Sequence, residues 1–520
     1  MKRIATVVAL SALLAIACAS LAPLGNRPIQ ETTTPGVASP IPNTQPPTSL
    51  PAPTAAPAEV AASPSPTETT SPDAGARFIT TSPLEGASIS TTDAQIVTRL
   101  FDTDCLAVVT TPLVIEEFVV FGTHKLQPKL DETDSPVAHC ADDPVQPGLY
   151  AVSARTGEAF VLVEGVGLEG TPTYAGGWLI APLVGSAQGS VLWLRGEQVA
   201  FDRPLKVGID SAGLWDAQLG AYIVGSVNSP FPLCQNGPNP DCGALVAVTS
   251  QGDVLQRLDR TNGLRGWTTG GPTTDGAVYF MGNGSGLDGS AAPPENALHA
   301  CSVLRIDRDF NILAAYDDGD MGCRTIGHLE SAVVGEVAVA GDAIWAQYLG
   351  STDGQPFAPV ARLRAADLTL LCRALIPSIP TRGAAGYYQA PVVDAEGNAY
   401  VTARAAENDM QASLFRIGPD CSLTRLFDVQ RTQASTPTLA DDQYVLLAAG
   451  GQLHVIDRQS GAASAFPLGS TADVTGGAVI SAYGVSVVSA DGVVTTLTKT
   501  GLQGYGNAPW PRFRRDNFGS

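Results

Sequence analysis

Apolar residues in this chain fall into short runs that alternate with polar positions and stop at turns containing Gly, Asp or Asn. The stretch Pro391-Val392-Val393-Asp394-Ala395-Glu396-Gly397-Asn398-Ala399-Tyr400-Val401-Thr402-Ala403 shows the unit clearly. An apolar run meets a tight turn at Asp394 to Asn398, and a second alternating run follows, which predicts a β-hairpin. A second hairpin follows at once. Ser413 to Ile417 and Ser422 to Leu426 flank a turn at Gly418 to Cys421. Two consecutive hairpins predict one four-stranded antiparallel sheet.

The two-part unit recurs along the chain. First halves start at Pro112, Pro172, Trp215, Pro272, Val337, Pro391, Pro437 and Ala478. Second halves start at Leu149, Val191, Leu245, Val303, Val360, Leu414, Leu453 and Val494. Eight such pairs at a spacing of roughly 40 to 58 residues predict an all-β, eight-bladed β-propeller. Each sheet has two apolar faces, so it is stable only between neighbours. Residues 77 to 106 carry few strand signals and are candidates for a closing strand. Asn228 to Gly243 and Asn283 to Ala300 read as surface inserts.

Two segments precede the repeats. Residues 1–18 form an export signal: Lys2 and Arg3 give a basic start, and Ile4 to Ala17 is an apolar core too short to span a bilayer. It ends in Ala15-Ile16-Ala17-Cys18, which resembles a bacterial lipobox and implies a lipid on Cys18, although Ala15 stands where Leu is preferred. Two or more acyl chains there would anchor the protein stably to a membrane. Residues 19–76 are rich in Pro, Thr, Ser and Ala, so they bury too little surface to fold and form a disordered spacer. The propeller then occupies 77–520. The expected location is extracytoplasmic: a membrane-anchored lipoprotein in the periplasm or on the cell surface.

The formal net charge of −20 excludes nucleic acid as a partner, because phosphates require Lys and Arg. Nine cysteines are present. Without Cys18 the remaining eight form an even set, which reads as disulfides in an exported chain. Many pairings are open. Sequential pairs, each bracketing a loop or blade junction, are the expectation: Cys105 with Cys140, Cys234 with Cys242, Cys301 with Cys323, and Cys372 with Cys421.

The Asp275-Gly276-Ala277-Val278-Tyr279 hairpin and the Leu453 to Gly461 half resemble the PQQ-like, or quinoprotein alcohol dehydrogenase-like, β-propeller repeat. Pro509-Trp510-Pro511-Arg512-Phe513-Arg514-Arg515-Asp516-Asn517 is similar to a segment at one end of many such propellers. The resemblance spans about residues 107 to 520 and implies an eight-bladed ring. It does not imply dehydrogenase activity, because the adjacent cysteines that flank the quinone in those enzymes are missing here.

Other chemistry is sparse. There is no Gly-x-Ser-x-Gly, His-Glu-x-x-His or Walker motif. None of His124, His139, His299, His328 and His454 belongs to a ligand-spaced pair, and His454 reads as structural or channel-facing. There is no Cys-x-x-Cys, and His139 alone lies beside a cysteine. Asp102-Thr103-Asp104 and Asp317-Asp318-Gly319-Asp320 lack the calcium-loop pattern and read as solvated loops. Trp178, Trp193, Trp215, Trp267 and Trp345 read as filling between blades, and Trp510 and Phe513 as core. No catalytic, cofactor-binding or metal site is assigned. The expected role is non-catalytic binding or scaffolding of an envelope protein or glycan. The alternative is an extracytoplasmic enzyme, polysaccharide-active or a quinoprotein-type oxidoreductase, with its site in the funnel.

Overall fold

The computed structural model describes residues 88–509, apart from 93, 127–137, 142, 169, 184–189, 196–197, 202–211, 226–243, 260–272, 275, 284–299, 318–336, 349, 353–354, 381–390, 406–410, 432 and 475. Cys18, the export signal, the spacer, Cys234, Cys242, Cys323, Trp267, Trp510 and Phe513 lie outside the described residues, as does the side chain of Cys301.

The described residues form eight antiparallel sheets. Their innermost strands are Leu113–Ile115, Thr173–Ala175, Gly213–Asp216, Thr273–Thr274, Ala338–Ala340, Val392–Val393, Thr438–Ala440 and Val479–Ser481. We number the blades 1 to 8 in that order. The hairpin halves predicted from the sequence coincide with strands one-two and three-four of blades 1 to 7, and with strands one to three of blade 8. Apolar side chains alternate between the two faces of a strand, so each blade supplies two apolar surfaces.

Ring closure follows from where those surfaces are buried. Leu113, Val120 and Leu149 of blade 1 pack with Leu179 and Leu192 of blade 2. Trp193 of blade 2 packs with Tyr222 and Val246 of blade 3, and Ile223 of blade 3 with Phe280 and Leu304 of blade 4. Tyr279 of blade 4, Trp345 of blade 5 and Val401 of blade 6 share one cluster. Tyr400 of blade 6 meets Val445 of blade 7, and Leu446 of blade 7 meets Val487 of blade 8. Val479 and Val494 of blade 8 pack on Val119 and Phe121 of blade 1. Every neighbouring pair around the circle is thus sealed by buried apolar contact.

One strand differs from the expected order. The repeat pattern places strands three and four of the last blade between Val494 and Tyr505. Only Val493–Leu497 is a strand there. The fourth strand of blade 8 is Gln95–Arg99, paired antiparallel with it from Gln95↔Leu497 to Arg99↔Val493. A fifth, Ser88–Thr92, adds outside it. The closing strand expected from residues 77 to 106 is therefore present. Gly501, Gly504 and Gly506 instead break the segment after Leu497, and Leu502 and Tyr505 fold back against the blade 7–8 core.

The outer strands share a distortion. In blades 3, 4 and 5 the register slips by one residue just after the three-four turn. Each slip inserts one aliphatic residue, Leu255, Leu313 and Leu371, all of them exposed at the rim. Such bulges interrupt the hydrogen-bonding edge that another strand could use.

Candidate functional site

Antiparallel order divides the connections between two ends of the blades. One-two and three-four turns lie at one end; two-three and four-one connections lie at the other. The two ends are built differently.

The one-two end is short and pinned. In blade 3 the Asp216 carboxylate lies buried in the one-two turn. Its Oδ1 accepts the Gln218 and Leu219 N–H groups, each at 2.9 Å. Its Oδ2 accepts from Arg308 Nε at 2.8 Å, and Arg308 sits in the three-four turn of blade 4. Blades 6 and 7 repeat the device. Asp394 Oδ1 accepts Asn398 N–H at 2.8 Å, and Oδ2 accepts from Tyr400 OH at 2.8 Å and Arg458 Nη1 at 2.9 Å. Arg458 belongs to the three-four turn of blade 7, and its carbonyl accepts from Arg416 Nη1 at 3.0 Å. Burial, reinforced by the Asp394 charge, raises the Tyr400 hydroxyl far above the usual tyrosine range, so it stays a neutral donor. The sequence reading missed these pins. Their signal is the repeated Ile-Asp-Arg of Ile306-Asp307-Arg308 and Ile456-Asp457-Arg458. The Asp shapes its own turn: Asp457 accepts the Gln459 and Ser460 N–H groups and the Ser460 hydroxyl. The Arg reaches the preceding blade. At the same end, Asp441 and Asp442 hold the segment after blade 8, accepting Gln503, Gly504 and Asn507 N–H groups.

The opposite end carries the long connections. In blade 1, residues 126–147 join Phe118–Lys125 to Gly148–Ser153. The disulfide Cys105–Cys140 ties them to the chain entering the blade, and both sulfur-bearing residues are fully buried. Beside it, His139 Nε2 and Asp104 Oδ1 meet at 2.9 Å, with both side chains largely exposed. The hydrogen bond from His139 holds the Asp104 carboxyl below its ordinary range. Asp104 is therefore paired, where the sequence suggested only a solvated loop. A second expected disulfide, Cys372–Cys421, lies at the pinned end instead, where it links the outer strand of blade 5 to the three-four turn of blade 6.

A cleft of about 440 Å³ opens at this same end, where the ring closes. Arg99, Gly469, Ser470, Thr471 and Asp491 line it. Ser470 Oγ donates to Asp491 Oδ2 at 2.8 Å, and Arg99 Nη1 stands 3.6 Å from the same oxygen. The other oxygen, Oδ1, is buried without a hydrogen-bond partner among the described residues. The cleft is polar, and a hydroxyl or amide donor from a ligand would complete it.

The remaining marked residues are structural. Trp193 and Trp345 are buried between blades, as expected. Trp193 meets half-buried Trp178 and Trp215 edge-on, each at 5.8 Å. His454 packs 5.1 Å from Phe427 of the neighbouring blade, so it is a packing residue, not a channel residue. Burial lowers the pKa of His454 and of His124.

No family model matches the chain, and no curated relative matches it. Solved propellers do. A WD40 propeller domain of Doa1 is 10% identical over 63% of this chain and 90% of that one, with a TM-score of 0.37. The Dos1 propeller is 10% identical over 68% and 88%, with a TM-score of 0.43. The Pan2 WD40 domain of Neurospora crassa is 9% identical over 76% and 90%, with a TM-score of 0.38. At these scores the assignment of the fold rests on the eight sheets themselves.

Proposed function

We propose that this chain is an exported lipoprotein of the PQQ-like propeller kind. Cys18 anchors it, residues 19–76 hold the ring off the membrane, and the ring is a non-catalytic binding or scaffold module for an envelope protein or glycan. The observation that carries the reading is the contrast between the two ends of the blades. One end is locked by buried Asp–Arg pins. The other gathers the long connections, a disulfide staple and the polar cleft. Variable connections on a rigid scaffold are where binding surfaces are built. Support for export and anchoring comes from the basic start, the apolar core and the lipobox-like Ala15-Ile16-Ala17-Cys18.

Site-specific photo-cross-linking tests the binding face. A photoreactive residue at exposed Asp102, Gln146 or Thr471 should capture a partner in cells. The same residue at exposed Asp367, Gln459 or Tyr483, at the pinned end, should capture none. Equal capture from both ends refutes the assignment of the face. Metabolic labelling with palmitate tests the anchor: Cys18→Ala should abolish the label and release the protein from membranes.

A further inference from the structure

Cys105 and Cys140 do not meet alone. Asp104 and His139, the residues just before them in the chain, bring their side chains to the same point. Cys140 Sγ lies 3.5 Å from His139 Nε2, and Cys105 Sγ lies 3.7 Å from Asp104 Oδ1. His139 Nε2 is 2.9 Å from Asp104 Oδ1. All four donor atoms lie within 4.8 Å of one another. A disulfide needs only its two sulfurs, and neighbouring residues on an extended strand point to opposite sides. Here Cys105 precedes the strand Leu106–Val108, and Cys140 lies in the 3₁₀ turn Ala138–Ala141, so both adjacent pairs converge.

We propose that in its dithiol form this cluster is a tetrahedral Zn²⁺ site with Cys105, Cys140, His139 and Asp104 as ligands, and that the disulfide is its closed state. Around zinc, with Zn–S near 2.3 Å, the edges between ligand atoms are about 3 to 3.8 Å. The Cys140–His139 spacing of 3.5 Å and the Cys105–Asp104 spacing of 3.7 Å already have that size, the His139–Asp104 spacing of 2.9 Å is slightly shorter, and the other S–N and S–O edges lie within 4.8 Å. The S–S edge is closed by the covalent bond and opens on reduction. Two sulfurs, one imidazole and one carboxylate suit zinc and not calcium or magnesium. The backbone at both cysteines is also held by hydrogen bonds that do not involve the sulfurs. Cys105 N–H donates to Thr103 Oγ1, Leu126 N–H donates to the Cys105 carbonyl, and Asp143 N–H donates to the Cys140 carbonyl. Lys125 Nζ and Thr103 Oγ1 in turn hold Asp143. Buried sulfurs with His139 and Asp104 exposed give the ion an approach from the solvent side.

Opening the site requires an external dithiol reductant. It gives up two electrons and two protons, the S–S bond breaks to two thiols, and the reductant closes to its own disulfide. Zn²⁺ then displaces both thiol protons and bonds the two thiolates. The site therefore reports the redox state of the protein's compartment.

The test uses the full chain with Co²⁺ as a spectroscopic probe and Zn²⁺ as competitor. A phosphine reduces the protein, two thiols forming as the phosphine takes oxygen from water. Circular dichroism checks that the sheet signal persists. The reduced protein should show thiolate-to-cobalt charge-transfer absorption, bleached by one equivalent of Zn²⁺ and missing from oxidised protein. Cys105→Ser with Cys140→Ser should abolish it. His139→Ala and Asp104→Ala, at exposed positions that leave both thiols in place, should each weaken Co²⁺ binding by about tenfold or more. The proposal is overturned by no cobalt band from reduced protein that keeps its sheets, by a band undiminished in either His139→Ala or Asp104→Ala, or by loss of the sheet signal on reduction. An unchanged band in the double serine variant would assign binding to other cysteines and overturn it equally.

Discussion

Replacing Asp394 by Ala should destabilise the ring by about 3–5 kcal/mol, the range for removing one partner of a buried ion pair. The structure explains the size. The carboxylate is 2% exposed and Arg458 only 10% exposed. Without Asp394, the Arg458 guanidinium keeps, among the described residues, only Glu396, 3.6 Å away and 65% exposed. Tyr400 OH and the Asn398 amide lose their acceptor as well, and each orphaned buried group adds about 1–3 kcal/mol before relaxation. A cooperative ring on the order of 400 residues has an unfolding entropy of about 0.8 kcal/mol/K, so 4 kcal/mol lowers Tm by only about 5 °C. Denaturant melts of oxidised protein read the free energy more directly, through the midpoint at constant slope. A double-mutant cycle isolates the pin. Asp394→Ala with Arg458→Met should recover about 2 kcal/mol relative to the sum of the single changes, because no charge is left buried alone. Strict additivity, or a loss below about 1 kcal/mol for Asp394→Ala, would show that the pin is not a coupled buried pair.

Four further outcomes are expected. Gly213→Ala would put a Cβ 2.2 Å from Tyr222 Cζ in a fully packed interface, so it should cost about 1–3 kcal/mol in the same melts, and a silent change would contradict the packing. Cys372→Ser with Cys421→Ser opens a link with a sequence separation of 49, which by loop-closure entropy lowers stability by up to about 4 kcal/mol under oxidising conditions; thermal unfolding measures it. His124 and His454 have pKa values lowered by burial, so they bind protons more readily when unfolded. Their stabilising contribution is therefore complete above the unfolded histidine value near 6.5 and declines as pH falls below it, levelling off below the folded values. His454→Gln should flatten part of that decline, and an unaltered pH profile would count against it. Removing residues up to 94 should cost the ring little stability, since of its sheets it takes away only the outermost strand of blade 8; removing residues up to 100 exposes the edge of Val493–Leu497 and should yield aggregated or unfolded protein by light scattering.

The parts of the fold legible in the sequence are those governed by local pattern. Period-two alternation and turn residues mark the hairpins. Gly397, for instance, sits at φ +81° in the turn between Val392–Val393 and Ala399–Ala405. The Cys105–Cys140 and Cys372–Cys421 pairings were legible because each closes a connection within a blade or between adjacent ones. The fourth strand of blade 8 was not assignable to that blade. Gln95-Ile96-Val97-Thr98-Arg99 is short and half polar, and its partner lies at the far end of the chain, so no local pattern marks the pairing. The pins share this difficulty. Asp216 and Arg308 are ordinary surface types in ordinary turns, and only their position across a blade junction pairs the half-buried guanidinium with the buried carboxylate. The cleft combines Arg99 with Ser470 and Asp491, which no spacing rule connects.

That Gln95–Arg99 completes the last sheet has a consequence for biogenesis. This segment precedes every blade, yet its partner is made after all of them, so the circle cannot shut while the chain is still emerging. Contacts of such long range form late, because the loop entropy must be met before they reward it. Until then blade 8 has an unmade edge, and a chaperone that shields this edge would govern the yield of folded protein.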